Sequence, residues 1–152
     1  MNGDNGTIRE YVTAEIGGEL IGLPILRVQD VFIPEAPTQV PLAPPEIAGV
    51  LNLRGRIVTL IDMRRRLGLA TEEAGKAPLA IGVETRGESY GLLIDAIGEV
   101  LRLGDETREP NPVNLDPRLA RVSAGIHRLN DRLLMVIDVE RVLDIDVRSM
   151  AA

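Results

Sequence analysis

The feature that most constrains this chain is that it repeats itself. Residues 18–32 (GELIGLPILRVQDVF) align with residues 87–101 (GESYGLLIDAIGEVL), and six of the 15 positions are identical: Gly18/Gly87, Glu19/Glu88, Gly22/Gly91, Leu23/Leu92, Ile25/Ile94 and Val31/Val100. Residues 49–69 (GVLNLRGRIVTLIDMRRRLGL) align with residues 125–145 (GIHRLNDRLLMVIDVERVLDI), with seven of 21 identical: Gly49/Gly125, Leu53/Leu129, Arg56/Arg132, Ile61/Ile137, Asp62/Asp138, Arg65/Arg141 and Leu67/Leu143. Two matched blocks in the same order make one supersecondary unit used twice. The expectation is a single domain over 7–147. Its first half spans about 7–75 and its second about 78–147, joined by the polar run Glu72-Glu73-Ala74-Gly75-Lys76, with room for the termini to exchange between halves. Residues 1–6 are expected to be a flexible N-terminus.

Each half reads alike. In the first, residues 8–16 alternate, Gly17-Gly18 turn, and residues 19–23 return as a hairpin. In the second, residues 79–84, the turn Arg86-Gly87 and residues 89–94 repeat the pattern. Ile25, Val28, Val31 and Phe32 follow Pro24 at helical spacing and predict one or two helical turns. Pro34, Pro37, Pro41, Pro44 and Pro45 then forbid long helix and interrupt any ladder. Residues 49–53 and 56–62 read as strands joined at Arg54-Gly55, and a short basic helix over 63–67 closes on Gly68. The second half offers strands at 123–129 and 133–138 with a turn at Asn130-Asp131, then a helical segment at 139–143. About five short strands per half with tight turns predict a mainly β protein of two small barrels. The long loops at 34–45 and 104–118 are candidate binding surfaces.

Composition removes whole classes of function. With 17 Lys and Arg against 23 Asp and Glu, the chain carries a formal charge of −6, which opposes non-specific nucleic-acid binding. There is no Cys, so disulfides, thiolate zinc sites and a catalytic thiol are excluded. The single His, His127, cannot supply a multi-histidine metal site. Tyr11, Phe32 and Tyr90 are the only aromatics, too few for a stacking platform. No apolar run is long enough to span a membrane, so no direct insertion is expected, and the polar opening residues do not form a signal peptide.

Four features could carry chemistry. Asp62 and Asp138 occupy equivalent positions, as paired carboxylates from two homologous lobes would, but neither lies in a D-T/S-G turn. Capping the short helix that follows each is the simpler reading. Arg64-Arg65-Arg66 could grip phosphate or an acidic helix; the simpler expectation is a solvated helix face. His127 sits in a strand pattern, whereas a phosphotransfer histidine belongs exposed on a helix. Arg54 lies in the turn Asn52-Leu53-Arg54-Gly55, where the other half has Asn130. The shared architecture therefore does not demand it. It either presents a rigid fork to a partner or braces the halves, and the sequence leaves both open.

The string running from Gly49 to Arg64, GVLNLRGRIVTLIDMR, resembles the signature of the CheW family of chemotaxis coupling proteins. Gly22-Leu23-Pro24-Ile25-Leu26-Arg27-Val28-Gln29-Asp30-Val31 resembles that family's first segment after the hairpin, and Tyr90-Gly91-Leu92-Leu93-Ile94-Asp95 its second-half strand. The similarity covers about 7–143. Thr59 departs from a proline that the family often carries, a difference of strand geometry. The resemblance implies two SH3-like five-stranded barrels over a shared apolar core, no enzymatic activity and no cofactor. It implies a cytoplasmic adaptor recruited to membrane-associated receptor arrays. Its partners would be the cytoplasmic tips of methyl-accepting chemotaxis receptors and the regulatory domain of a CheA-type histidine kinase, with other CheW-like domains joining it in rings. Carried over by position, receptor contact would involve Val28, Asp30, Gly49, Asn52 and Arg54, in a helix-in-groove mode. Kinase contact would fall near Val40, Leu42 and Ile47, as exposed apolar strand residues of the first barrel. A coupler in a twitching or second-messenger pathway is an alternative, and a ligand-binding barrel a more distant one that the few aromatics disfavour.

Overall fold

The computed structural model describes residues 7–69 and 79–145. The expected connector at 72–76 and the N-terminal residues 1–6 lie outside the described residues. Among the described residues, ten strands and three short helices follow the repeat: β1 (Ile8–Ile16), β2 (Glu19–Pro24), β3 (Asp30–Phe32), β4 (Ile47–Leu53), β5 (Arg56–Asp62), α1 (Met63–Leu67), β6 (Leu79–Thr85), β7 (Glu88–Ile94), β8 (Ala96–Gly104), α2 (Pro117–Val122), β9 (Ser123–Arg128), β10 (Leu133–Ile137) and α3 (Val139–Val142). They form two five-stranded SH3-like sheets, ordered β8-β1-β2-β10-β9 and β3-β6-β7-β5-β4.

The sheets do not follow the sequence halves, which corrects the boundaries at 75 and 78. Each half sends its hairpin into the other half's sheet. β1 and β2 join β8, β9 and β10, while β6 and β7 join β3, β4 and β5. The exchange is symmetrical to the residue. β10 runs parallel to β2 with Leu134 opposite Leu20, and β5 runs parallel to β7 with Val58 opposite Ser89, which is the same register under the repeat. The second sheet is consequently continuous in sequence over 30–94, and the first is assembled from the two ends of the chain.

The helical spacing after Pro24 yields only one 3-10 turn, Ile25–Arg27, after which Val31 enters β3. In the second half the same spacing, Ile94, Ile97 and Val100, forms strand instead. β8 bulges against β1, with Val12 opposite Val100 and Ala14 opposite Ile97. Between these pairs one residue of β1, Thr13, faces two of β8, Gly98 and Glu99, so residues three apart share a face.

A single apolar cluster lies between the sheets. Ala14, Ile16, Ile21 and Leu23 from one meet Ile61, Ile81, Val83, Leu92 and Ile94 from the other, with Met63, Leu67, Leu119, Val122 and Val142 from the helices. A smaller cluster of Leu51, Val58, Leu60 and Ala80 packs within the second sheet. In the first sheet Tyr11 and His127 meet with ring centroids 5.9 Å apart. His127 is 1% exposed; its Nδ1 lies 3.1 Å from Thr107 Oγ1, and its Nε2 has no partner among the described residues.

The basic run on α1 is not a solvated face. Arg64 donates to Asp95 at 2.7 Å, and Asp95 also accepts the Gly17 N–H at 2.7 Å. One carboxylate, at the crossing between sheets, thus ties α1 to the β1–β2 turn. Arg66 donates to the carbonyls of Arg141 and Val142 at 2.7 and 2.9 Å, closing the C-terminal end of α3. Arg65 pairs with Asp62 at 3.5 Å.

Two expectations follow. Asp95→Ala removes charge-assisted bonds from a largely enclosed site; it should cost about 2 kcal/mol, or about 4–8 °C in a thermal melt. Burial, then the charge of Arg108, hold the His127 pKa below its ordinary value, against smaller opposing effects of Asp105 and Glu109. The unfolded chain therefore takes up this proton first. Stability should be complete above about pH 6.5 and decline as pH falls through that value towards the depressed folded one. Urea denaturation of His127→Gln between pH 7 and 5 should show a shallower decline than the parent chain.

Candidate functional site

The site lies where the β4–β5 turn meets the segment leading into β3. Leu53 pairs with Arg56, leaving Arg54 and Gly55 as a two-residue turn with φ of 55° and 86°. Both positive values define a type I′ turn, whose twist matches that of the strands it joins. Asn52 fastens it by accepting the Gly55 N–H at 2.9 Å through Oδ1. Arg54 is thereby thrust outward, its side chain 79% exposed. Its Nη1 is 3.9 Å from Asp30 Oδ2. A pair this open adds at most about 1 kcal/mol, so Arg54 is no brace. The bracing is done by Arg64 and Arg66.

Asp30 is placed by a neighbour that no sequence motif singles out. In the β3–β6 pair Asp30 faces Gly82, and its carboxylate occupies the space where a Cβ on Gly82 would stand. Only the register of β3 against β6 reveals this, and these strands come from different halves. Val28 ends the 3-10 turn, its N–H bonded to Ile25 O at 3.1 Å, and packs half-buried against the main core. Arg27 beside it donates to Glu140 at 3.0 Å, and Gln29 to Glu84 at 2.7 Å. Thr85 also donates to Glu140, at 2.8 Å. This carboxylate is held below its ordinary range, chiefly by the Thr85 hydroxyl and then by Arg27.

The structure therefore gathers Asp30, Asn52 and Arg54, with Val28 near the same segment. Gly49 lies four residues before Leu53, about 13 Å along β4. Its φ is 150°, and a Cβ there would come within 2.8 Å of Thr38 O. Gly125 repeats the arrangement against Glu109 O, also at 2.8 Å. Both glycines are thus explained by the passage of a loop over a strand.

Of the apolar trio, Val40 and Leu42 are in a turn and not in a strand, closed by the Ala43 N–H on Val40 O at 3.2 Å. Leu42, at φ 64°, is 83% exposed, and Val40 is partly covered. Ile47 opens β4 and packs against the main core, so it is not the exposed residue expected. Ile33 at 66% is exposed on the same Pro-rich segment.

Asp62 and Asp138 are each used locally. Asp62 accepts the Arg65 N–H and Asp138 the Arg141 N–H, both at 3.2 Å, at the N-termini of α1 and α3. Each also pairs with that same arginine's side chain, at 3.5 and 3.4 Å. They are twin helix caps.

The description CheW-like domain belongs to the family model that matches residues 10–147. The chain is 32% identical over 143 residues to the chemotaxis protein CheW of Helicobacter pylori, covering 94% of this chain and 86% of that one. It is 28% identical to a probable chemotaxis protein CheW of Rhizobium etli, covering 95% and 92%. Among solved structures, the scaffolding protein TtCheW of Thermoanaerobacter tengcongensis superposes with a TM-score of 0.81 at 28% identity, covering 94% and 97%.

Because its guanidinium is solvated and only loosely paired, Arg54→Ala should shift the melting temperature by no more than about 4 °C.

Proposed function

Since the chain belongs to the family of CheW-like domains, we propose that it is a non-catalytic adaptor. It joins the cytoplasmic tips of methyl-accepting chemotaxis receptors to the regulatory domain of a CheA-type histidine kinase. It acts in the cytoplasm, recruited to receptor arrays, and needs no cofactor.

The observation that carries this reading is Arg54. A non-glycine residue at φ 55° costs about 1 kcal/mol relative to Gly. The architecture does not require it, since the equivalent turn of the other half has Asn130 and Asp131. Yet the strained turn holds its guanidinium in solvent beside Asp30. A charge held out at such a cost, and only loosely paired with Asp30, suits recognition of another protein. Asp30, Asn52 and Arg54, with Val28 behind them, form the proposed receptor face. Leu42, with Ile33, forms the proposed kinase face on the Pro-rich loop, Val40 supporting it and Ile47 anchoring the strand that follows. Two separate faces on one rigid body are what a coupler needs, because each partner must bind without displacing the other. Further CheW-like domains would meet the same faces in rings.

Calorimetric titration tests both faces. The chain should bind the kinase regulatory domain near one to one. Arg54→Ala should weaken binding of a receptor cytoplasmic fragment about tenfold, or about 1.4 kcal/mol, and leave kinase binding unchanged. Leu42→Glu should do the reverse. Failure of the unaltered chain to bind either partner would overturn the reading.

A further inference from the structure

The Arg54-Gly55 turn has a twin. Between β6 and β7, Arg86 and Gly87 have φ of 53° and 80°, almost the values at Arg54 and Gly55. The repeat shows that Arg86 is not needed to make such a turn. Gly17-Gly18, the sequence equivalent of Arg86-Gly87, adopts the same conformation at 56° and 86° without a side chain. At Arg86 the chain thus carries a strained arginine where glycine serves.

The topology sets the twins side by side. β5 is parallel to β7, and the order β6-β7-β5-β4 makes their turns neighbours at one end of the second sheet. Turn centres two strand spacings apart stand roughly 10 Å from each other. Arg86 is exposed and makes no hydrogen bond or ion pair among the described residues. Glu140, the carboxylate that feels its charge slightly, is already engaged by Thr85 and Arg27. Arg56, also exposed and without an ion pair among the described residues, opens β5 between the two turns. A hollow of about 360 Å³ lies there, lined by Arg56, Ile57, Thr59, Gly87, Glu88 and Ser89. Ile57 is 62% exposed within it. Three arginines crowd one end of one sheet, on a chain whose formal charge is −6.

We propose that Arg86 is a second anchor for the protein partner that Arg54 engages, and that the end of the second sheet receives a helix with carboxylates on one face two turns apart. Two helical turns rise about 11 Å, matching the separation of the twin turns. Arg54 and Arg86 take the two carboxylates, and Ile57 supplies the apolar contact between them. This rests on the receptor-adaptor reading above and adds to it the charge and spacing of the partner's contact face.

The test is titration of a receptor cytoplasmic fragment against the full chain and four variants: Arg54→Ala, Arg86→Asn, Arg86→Gly, and Arg121→Gln on α2 as a distant control. Asn-Gly and Gly-Gly are favoured in this turn type, so both Arg86 variants should melt at or above the parent temperature. Each should bind the fragment at least fivefold more weakly, with a shallower dependence on ionic strength, while Arg121→Gln binds as the parent does. Unchanged affinity in both Arg86 variants, with Arg54→Ala still weakened, would overturn this inference and leave the adaptor reading standing. An equal loss in Arg121→Gln would also overturn it, since the effect would be one of net charge. No binding by the parent chain would overturn both readings.

Discussion

The structure depends on the parallel pairing of β2 with β10 and of β7 with β5. A parallel pair cannot be closed by a tight turn, so its strands must arrive from distant parts of the chain. Here they arrive from opposite halves of a repeat, which places each hairpin in the sheet built by the other half. The shared apolar cluster follows from this. The hairpin strands present Ala14, Ile16, Ile81 and Val83 to one common space, and all of these are fully buried. The helix caps at Asp62 and Asp138 turn the chain back over that space at the ends of β5 and β10. The two lobes are thereby one body, and a partner bound at the end of one sheet acts on a rigid frame.

The polar braces reinforce the exchange where it crosses. Asp95 stands between β7 and β8, where the chain passes from the second sheet to the first, and it holds both Arg64 and the Gly17 N–H. Arg66 reaches across to the end of α3. These arginines are drawn inward, whereas Arg54, Arg56 and Arg86 are left out. Within an acidic chain, basic side chains thus divide into those that hold the halves together and those available to another molecule.

What could be read from the sequence was local and written twice. The hairpins at Gly17-Gly18 and Arg86-Gly87, the turn at Arg54-Gly55, α1 with its Gly68 cap and the two aspartate caps all depend on residues within a few positions of one another. The exchange of hairpins could not be read, because a strand's own half and the other half offer homologous partners with the same pattern. β8 was hidden by a bulge that gives strand residues a helix-like spacing of three. The same limit applied to the site. Asn52 and Arg54 are adjacent in sequence and were legible with the NLRG string. Gly82, which makes room for Asp30, became visible only through pairing between halves. The inward packing of Ile47 could not be read, because a residue opening a strand beside a long loop gives no sign of which side the core lies on.

The unequal continuity of the two sheets also gives the protein an order in time. A chain made from its N-terminus at about 5–20 residues per second has the strands of the second sheet complete when residue 94 has emerged. The first hairpin, residues 8–24, is by then already made, but its partners β8, β9 and β10 extend to residue 137. For those seconds β1 and β2 have two open edges and an apolar face with nothing of their own to pair with. The completed second sheet is the nearest surface able to cover Ala14 and Ile16. The lobe that carries the twin arginines would then serve first as the template on which its companion is built.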